Sequence, residues 1–383
     1  MFKNPLRGVY IMNAIYGLAG SFVGIFIPIY LLKKELNPAN VFLFYFVFTL
    51  AVLVFFFFTN KIMRVIGLRK TVLLGYPFLF LYFFLLYNME AYNIPLSLLA
   101  LVSGFQASLY WFPLHIWLTS TSKEGSIGSG LGKFFAISQV VGLLAPVIAA
   151  FVVLLLGFKA LFIITGVIYL ISAVPLFYLP EFLFEEDIKF SNFLRLVKKY
   201  PRYIVAEIFE NIREDAESII WPVFIYLSFH DILSIGYVGT LSSIGGVLFL
   251  LAVGKYTDKV DKRKLLGLGA VIMVVIWVLR FNVAFPVSAY ALTLISAFFA
   301  ALILIPINTI VYGVAKVEGA PTFILFREFG VSLGRLLLYI FAFLTLAYSI
   351  NYIFIFTAIA CIGLVYLSRT NLEAKEYKNG MIG

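Results

Sequence analysis

The sequence predicts an all-α membrane protein with twelve transmembrane helices in two pseudo-symmetric six-helix bundles. Three observations predict this fold class. Hydrophobic residues occupy 63% of the 383 positions and charged residues only 13%, whereas soluble domains are about half apolar and about a quarter charged. The mean hydropathy is +1.03. Apolar runs of about 20 residues, the length needed to cross a bilayer, recur along the whole chain.

Twelve apolar runs can be delimited in order along the chain. The first follows basic residues and is too long for the core of a cleaved signal peptide, so it predicts a transmembrane helix. The predicted spans, numbered 1 to 12, lie near residues 8–32, 40–60, 71–88, 94–119, 134–156, 158–180, 203–229, 234–254, 264–284, 286–314, 321–347 and 350–368.

Basic residues outside these spans lie mostly in the loops on one side of the predicted membrane. The loops on the other side contain only Lys33, Lys34 and Lys159. Because Lys and Arg concentrate in cytoplasmic loops, we expect a multi-pass protein of the cell membrane with both termini in the cytoplasm. Topology thus explains the net charge of +10, and a nucleic-acid partner is not expected.

A polar stretch in the middle of the chain separates the spans into two sets of six. We expect an N-terminal bundle over residues 1–180, a cytoplasmic linker over 181–202, a C-terminal bundle over 203–370 and a cytoplasmic tail over 371–383. Within the linker, apolar residues alternate with Lys and Arg. This pattern indicates a short amphipathic helix on the inner leaflet.

The two halves share landmarks at a nearly constant spacing. A shift of 194 positions places Pro28 on Pro222, and a shift of 193 places His115 on Asn308. Agreement at almost the same offset indicates a parallel duplication of six helices.

The loop between spans 8 and 9 resembles the signature loop of the major facilitator superfamily, G-x-x-x-D-(R/K)-x-G-(R/K)-(R/K). Gly254, Asp258, Lys259 and Arg263 match this pattern, whereas Asp261 stands where glycine is usual. Together with the twelve spans, the match identifies the chain as a member of the superfamily. The resemblance implies a secondary transporter with a central site lined by helices 1, 4, 7 and 10. It also implies that the signature loop acts as a gating loop on the cytoplasmic face.

Span 7 carries an unusual number of carboxylates inside an apolar segment. Helical spacing places Glu207 and Glu214 on one stripe, with Glu210, Asn211 and Glu217 beside it. Alignment with span 1 puts these positions inside the membrane, where an ionised carboxylate is costly unless it is paired or hydrated. We therefore predict that these residues bind substrate and protons.

The expected charge partners lie on spans 7 and 11. Arg213 belongs to span 7, and Arg327, Glu328 and Arg335 belong to span 11, which borders helix 7 in the superfamily fold. With Asp215 included, six carboxylates face three arginines and leave three negative charges unmatched. We expect protons or a bound cation to neutralise this surplus.

Polar residues on other lining helices complete the candidate site. His115 on span 4, Asn308 on span 10 and Asn13 on span 1 are expected to face the cavity, and an imidazole suits a proton relay near neutral pH. Arg280, close to the end of span 9, is expected to extend its charged head to the membrane interface.

The sequence lacks patterns that are typical of enzymes and of resident cofactors. It has one cysteine, Cys361, and neither a His/Cys metal spacing, a phosphate-binding loop nor a catalytic triad. We therefore expect no enzymatic activity, no cofactor and no structural metal.

These features predict a proton-coupled transporter that works as a monomer. The leading hypothesis is an antiporter that exports a small organic cation or an amphipathic drug-like molecule. A second hypothesis is proton-coupled uptake of a cationic nutrient, or a divalent-metal carrier that uses carboxylates with His115. A third is a non-transporting receptor or scaffold built on a transporter fold.

Overall fold

The computed structural model describes residues 5–35, 37–121, 127–183, 190–257 and 260–370. Regular secondary structure within these ranges is entirely helical, and the helices form twelve membrane-crossing segments that correspond in order to the predicted spans. Because the number of crossings is even, the start of span 1 and the end of span 12 lie on the same side. We call this the termini side and the opposite one the far side.

The first six crossings contain two breaks that the prediction did not include. Span 1 is split into two helices, and a turn interrupts span 5 before Pro146. Spans 5 and 6 meet at Gly157, whose φ of 81° lies in the region that favours glycine. The bounds are Pro5–Val23 and Phe26–Glu35 for span 1, Pro38–Ile66 for span 2, Leu68–Tyr92 for span 3, Leu96–Thr121 for span 4, and Ile127–Val141 and Ala145–Ala173 for spans 5 and 6.

The second six crossings follow a short linker helix. Span 7 consists of two α-helices joined by a π turn, and the others are single helices. The bounds are Phe190–Lys199 for the linker helix, Pro201–Asp215, Ala216–Ile220 and Trp221–Phe229 for span 7, Ile232–Thr257 for span 8, Lys262–Arg280 for span 9, Pro286–Glu318 for span 10, Ala320–Thr345 for span 11 and Asn351–Ser368 for span 12.

Length and composition alone mark eight helical segments of the described ranges as able to cross a bilayer. One of them, Gly130–Tyr178, has 49 residues and contains spans 5 and 6 together. Spans 7, 8 and 9 are not among the eight. Span 7 carries the acidic residues, span 9 has basic residues at both ends, and span 8 contributes only the shorter apolar stretch Ile232–Val247.

Spans 1 and 7 are both interrupted at positions that the 194-residue shift superposes. In span 1 the helix breaks at Gly24, whose N–H donates to the carbonyl of Gly20 at 2.7 Å. In span 7 a π turn covers Ala216–Ile220, and the N–H of Trp221 donates to a carbonyl five residues back. Pro222 explains this turn. Proline has no N–H, so it cannot form the α-helical hydrogen bond to the carbonyl four residues earlier. The matching interruptions agree with an internal repeat.

Two pairs of helices form most of the contact between the first and the second six spans. Span 5 packs on span 8, and span 2 packs on span 11. Glycine permits this close approach, since a Cβ on Gly236 of span 8 would lie 2.7 Å from the Cβ of Ala150. Span 4 also contacts span 10, and the far-side helices Phe26–Glu35 and Trp221–Phe229 contact each other.

The linker helix Phe190–Lys199 packs against span 11, and the ring centres of Phe193 and Phe329 are 5.3 Å apart. Its basic residues bind the end of span 10, where Arg195 and Lys199 lie 3.0 and 2.9 Å from Glu318. Phe193 and Leu196 of the linker helix thus contact protein, whereas Leu194 is exposed. Contact of this helix with the inner leaflet stays a prediction.

Candidate substrate and proton site

Most of the acidic residues of span 7 are buried among the helices. Glu207 is 1% exposed, Glu210 3% and Asp215 8%. The side chain of Glu214 is different, because 43% of it is exposed. Four arginines bind this group of carboxylates, and three of the four come from other helices than span 7.

Glu210 and Arg213 form a buried ion pair within span 7. Arg213 donates from Nε to Oε2 at 2.8 Å and from Nη2 to Oε1 at 2.6 Å. Both side chains are about 4% exposed. The spacing of three residues places the two groups on the same helix face, so this pair is determined locally.

Glu217 is bound from span 9 by Arg280. Its carboxylate accepts two hydrogen bonds from this guanidinium, at 2.7 and 2.6 Å, and a third from the hydroxyl of Ser296 at 2.8 Å. The guanidinium carbon lies 4.2 Å from the ring centre of Trp221 and 4.3 Å from that of Trp277. Arg280 is fully buried, which corrects the expectation that its head reaches the interface.

Asp215 and Glu214 share Arg335 of span 11. The Nε of Arg335 lies 3.1 Å from Asp215, and its Nη2 lies 3.5 Å from Glu214. Tyr339 donates a further hydrogen bond to Asp215 at 2.6 Å. Arg335 therefore binds mainly to Asp215 and only weakly to Glu214.

On the termini side, Arg327 of span 11 bonds to its neighbour Glu328 and lies 3.9 Å from Glu207. The carboxylate of Glu207 accepts hydrogen bonds from Tyr203 at 2.5 Å and from Asn211 at 3.3 Å. The hydrogen bonds to Glu207 thus come from two neutral side chains, and the guanidinium of Arg327 lies at the limit of ion-pair distance.

His115 connects span 4 with this cluster. Its Nδ1 lies 2.6 Å from the hydroxyl of Tyr312 on span 10, and its Nε2 lies 3.4 Å from Arg327 and 3.7 Å from Glu328. The side chain is buried. His115 therefore joins the first six spans to the second six near the termini side.

Arg280 changes the charge balance that the sequence predicted. The cluster of described residues contains six carboxylates and four arginines, not three, so two negative charges remain. Two carboxylates have no arginine of their own. Glu207 lies near Arg327, which is closer to Glu328, and Glu214 lies near Arg335, which is closer to Asp215.

A cavity of about 470 Å³ lies between spans 1, 5, 7, 8 and 10, beside Glu214. Its polar wall includes Gln139 and Ser243, and its apolar wall includes Ile25 and Leu304. Pockets of this size take small molecules. The cavity does not reach Glu207, which is buried about two helical turns away from Glu214.

Other predicted site residues lie outside this cavity. Asn13 donates to the carbonyl of Phe134 at 3.2 Å and so connects span 1 with span 5. Asn308 donates to Leu304 O within span 10 at 2.9 Å. Neither residue lines the cavity. Among the described residues, no group of three or more His, Cys, Asp or Glu side chains could hold a metal ion.

The predicted gating loop lies only partly within the described ranges. Gly254 belongs to the helix of span 8, and Asp258 and Lys259 lie outside the described residues. Arg263 donates to the carboxylate of Asp261 at 3.1 and 2.8 Å at the start of span 9. These hydrogen bonds hold the pKa of the Asp261 carboxyl below its ordinary value.

Sequence reasoning missed five residues of this site. Arg280, Tyr203, Tyr312, Tyr339 and Ser296 each bind a predicted carboxylate or histidine. Arg280 carried a usable signal, because an ionisable residue within a membrane helix is a candidate functional residue by default. The tyrosines and the serine carried none, since such residues are frequent in every span.

Comparison with known proteins agrees with the fold. The sequence profile of the Major Facilitator Superfamily matches residues 9–204 and 215–380. The acidic segment 205–214 lies between the two matches, so the family resemblance does not assign roles to its residues. No curated protein matches the chain in sequence.

Several solved structures share the fold at low sequence identity. The transporter FucP in its outward conformation has a TM-score of 0.71 and 14% identity, over 96% of this chain and 98% of FucP. The human organic anion transporter MFSD10 has a TM-score of 0.71 and 12% identity, over 95% and 98%. A variant of the E. coli fucose:proton symporter FucP has a TM-score of 0.69 and 14% identity, over 95% and 98%. The chain therefore belongs to the Major Facilitator Superfamily and is a multi-pass membrane transporter, not an enzyme.

Proposed function

We propose that this transporter exchanges protons for a small organic cation. One observation carries the proposal: two carboxylates of the buried cluster, Glu207 and Glu214, lack an arginine of their own. Uncompensated negative charge inside a membrane protein is costly. A proton or a positively charged substrate removes that cost, and exchange of one for the other couples the two fluxes.

Glu214 is the proposed binding partner of the organic cation. Its carboxylate is partly exposed and lines the cavity, together with Gln139 and Ser243. The apolar walls at Ile25 and Leu304 suit the hydrocarbon part of an amphipathic substrate. Glu210 and Glu217, which the sequence analysis also assigned to substrate, are each bound by an arginine and serve to shape the site in this proposal.

Glu207 is the proposed proton-binding residue. It is buried apart from the cavity and accepts hydrogen bonds from Tyr203 and Asn211. His115 lies on the termini side of the same cluster, and in this proposal it relays protons between Glu207 and the cytoplasm. Proton and substrate therefore occupy different carboxylates of one helix.

Arg335 is the proposed coupling residue. It contacts Asp215 more closely than Glu214, so a bound cation takes the place of the weaker contact. When the cation leaves, Arg335 moves toward Glu214, and this movement shifts span 11 relative to span 7. In this proposal residues 1–180 and 203–370 move as two bundles about the cavity, and the termini lie in the cytoplasm.

The fold itself leaves the charge of the substrate open, because the structures that share it include an organic anion transporter and a fucose:proton symporter. The local residues support a positively charged substrate. Arg213, the arginine that lines the cavity, is already bound by Glu210. An anionic substrate would meet Glu214 before any arginine that lacks a partner.

A ligand panel with two variants tests the proposal. Thermal unfolding of the purified protein is measured with ethidium and methyltriphenylphosphonium as cations, p-aminohippurate as an anion and fucose as a sugar. Flux of the stabilising ligand is then followed in proteoliposomes under an imposed pH gradient. We expect cations to stabilise, Glu214→Gln to weaken binding at least tenfold, and Glu207→Gln to retain binding but lose the dependence of flux on the pH gradient.

Glu90→Gln is the matched control, because Glu90 is an exposed carboxylate on the far side that pairs with Lys34 away from the cavity. It should leave binding and flux unchanged. Stabilisation by the anion or the sugar alone, with Glu214→Gln equal to the wild type, would contradict the proposal.

A further inference from the structure

Three lysines gather on the far side of the membrane, where the other loops carry no basic residue. Lys33 and Lys34 end span 1, and Lys159 begins span 6. Lys33 lies over the ring of Phe158, which precedes Lys159 in the chain, and Lys34 lies over the ring of Tyr30, whose centre is 5.1 Å from that of Phe158. The three lysines therefore form one cluster. Lys34 pairs with Glu90. Within the described ranges, Lys33 and Lys159 have no carboxylate at ion-pair distance.

The two unpaired lysines lie over aromatic rings at the end of a groove. The ammonium of Lys33 is 5.8 Å from the ring centre of Phe158, and that of Lys159 is 5.0 Å from the ring centre of Tyr87. These contacts hold the side chains beside the protein, and both lysines are exposed residues. Aromatic rings and lysines at this level are typical of the membrane interface.

An apolar groove of about 480 Å³ starts at Tyr87 and runs between spans 3 and 6. It passes from Tyr87 near the far side to Phe80 and Leu170 near the middle of the membrane, about 10 Å along span 3 at 1.5 Å per residue. Gly166 forms part of its floor, and a Cβ there would meet no heavy atom within 4 Å. The groove is therefore an indentation of the outer surface of spans 3 and 6, and it covers about two thirds of the roughly 15 Å of hydrocarbon in one leaflet.

We infer that this groove and the lysine cluster form a binding site for one anionic phospholipid in the far-side leaflet. The acyl chain lies in the groove between spans 3 and 6, and the headgroup phosphate lies between Lys33 and Lys159. Charge complementarity selects the occupant. A neutral apolar molecule would fill the groove but would leave the two ammonium groups without a counter-charge. A zwitterionic lipid carries the same phosphate together with an ammonium group of its own, which opposes the attraction to the two lysines, whereas an anionic lipid has no such cation.

The site is independent of the central cavity. It uses spans 3 and 6, whereas the cavity lies between spans 1, 5, 7, 8 and 10. A lipid bound there connects the end of span 1 with span 6 and so stabilises the first six spans as a unit. Its occupancy can be measured without any transport substrate.

Native mass spectrometry of the detergent-purified protein tests the site with phosphatidylglycerol and with phosphatidylcholine of the same acyl chains. We expect the wild type to retain one phosphatidylglycerol under conditions that remove phosphatidylcholine. The variant Lys33→Gln/Lys159→Gln should bind phosphatidylglycerol about 25-fold more weakly, since each basic residue near an anionic headgroup contributes about a factor of five. Its control is Lys61→Gln/Lys70→Gln, which removes two exposed lysines from the termini side.

A second variant tests the groove without changing charge. Gly166→Leu places a side chain in the open space of the floor and should abolish retention of phosphatidylglycerol. Gly130→Leu is the matched control, because Gly130 is helical and also has open space beside its Cβ. Equal retention of both lipids by the wild type, or unchanged retention by Lys33→Gln/Lys159→Gln, would overturn the proposal. Unchanged retention by a folded Gly166→Leu would also overturn it, by leaving only a surface anion site.

Discussion

Arg280 and Glu217 form two parallel hydrogen bonds of 2.7 and 2.6 Å, although they are 63 positions apart in the chain. Trp221 and Trp277 lie against the same guanidinium. The pair joins span 7 to span 9 at the π turn that interrupts span 7. A carboxylate with this many partners stabilises the structure, and this leaves Glu214 as the carboxylate beside the cavity that can change its partner.

Loss of Arg280 should destabilise the protein strongly. Arg280→Gln leaves Glu217, whose side chain is 15% exposed, without its charge partner, and removal of one member of a buried pair typically costs about 3–5 kcal/mol. Denaturation followed by tryptophan fluorescence measures the change. Arg202→Gln, at an exposed arginine, should change the free energy of unfolding by less than about 0.5 kcal/mol. Equal effects of the two variants would contradict a structural role for Arg280.

Glu210 and Arg213 should behave as a unit in a double-mutant cycle. Arg213→Gln alone leaves a buried carboxylate unpaired and is expected to cost about 3 kcal/mol or more. The double variant Glu210→Gln/Arg213→Gln has no buried charge at this position and should recover at least half of that loss. The free energies of unfolding of the two single variants and the double variant measure the coupling. Additive effects would show that the two residues do not interact.

The bond between His115 and Tyr312 should favour the state in which spans 4 and 10 touch. Tyr312→Phe removes the hydrogen bond of 2.6 Å but keeps the ring. We expect a shift toward a state open on the termini side, worth about 1 kcal/mol. The native Cys361 is fully buried, so spin labels at Ser120→Cys and Val317→Cys can report the distance between these spans. The control Tyr348→Phe changes an exposed tyrosine and should leave the distance distribution unaltered.

The linker helix should be released when Glu318 loses its charge. Glu318 pairs with Arg195 and Lys199 and accepts a hydrogen bond from Tyr200 at 2.8 Å. In Glu318→Gln the two ion pairs are lost, and we expect trypsin to cleave the linker several-fold faster. Gel electrophoresis of timed digests measures the rate. Glu35→Gln, on the far side, is the control, and equal cleavage rates in both variants would contradict the proposed contact.

Much of the fold was predictable because hydropathy is a local property. Most spans are long and apolar enough to be recognised by their own composition, and the order of the twelve crossings was predicted correctly. The interruptions of spans 1 and 7 were not predicted. Pro222 is compatible with several helix distortions, and only backbone hydrogen bonding distinguishes a π turn from a kink.

In the candidate site, too, local contacts could be predicted from the sequence and contacts between helices could not. The pair of Glu210 and Arg213 follows from their spacing of three residues on one helix. The partners of Glu217 and Asp215 do not follow from any spacing, because they belong to spans 9 and 11. The sequence predicted three unmatched negative charges where the structure leaves two, because Arg280 was assigned to the membrane interface and not to the cluster.

By itself, the sequence determined that this protein crosses the membrane twelve times and that its seventh helix is acidic. Hydrophobic burial and the cost of charge in lipid act on each segment separately, so these features can be inferred one segment at a time. Only the tertiary structure decided which acids are neutralised. An ion pair requires two groups within about 4 Å, and for residues as far apart as Glu217 and Arg280 this distance is determined by how the helices pack.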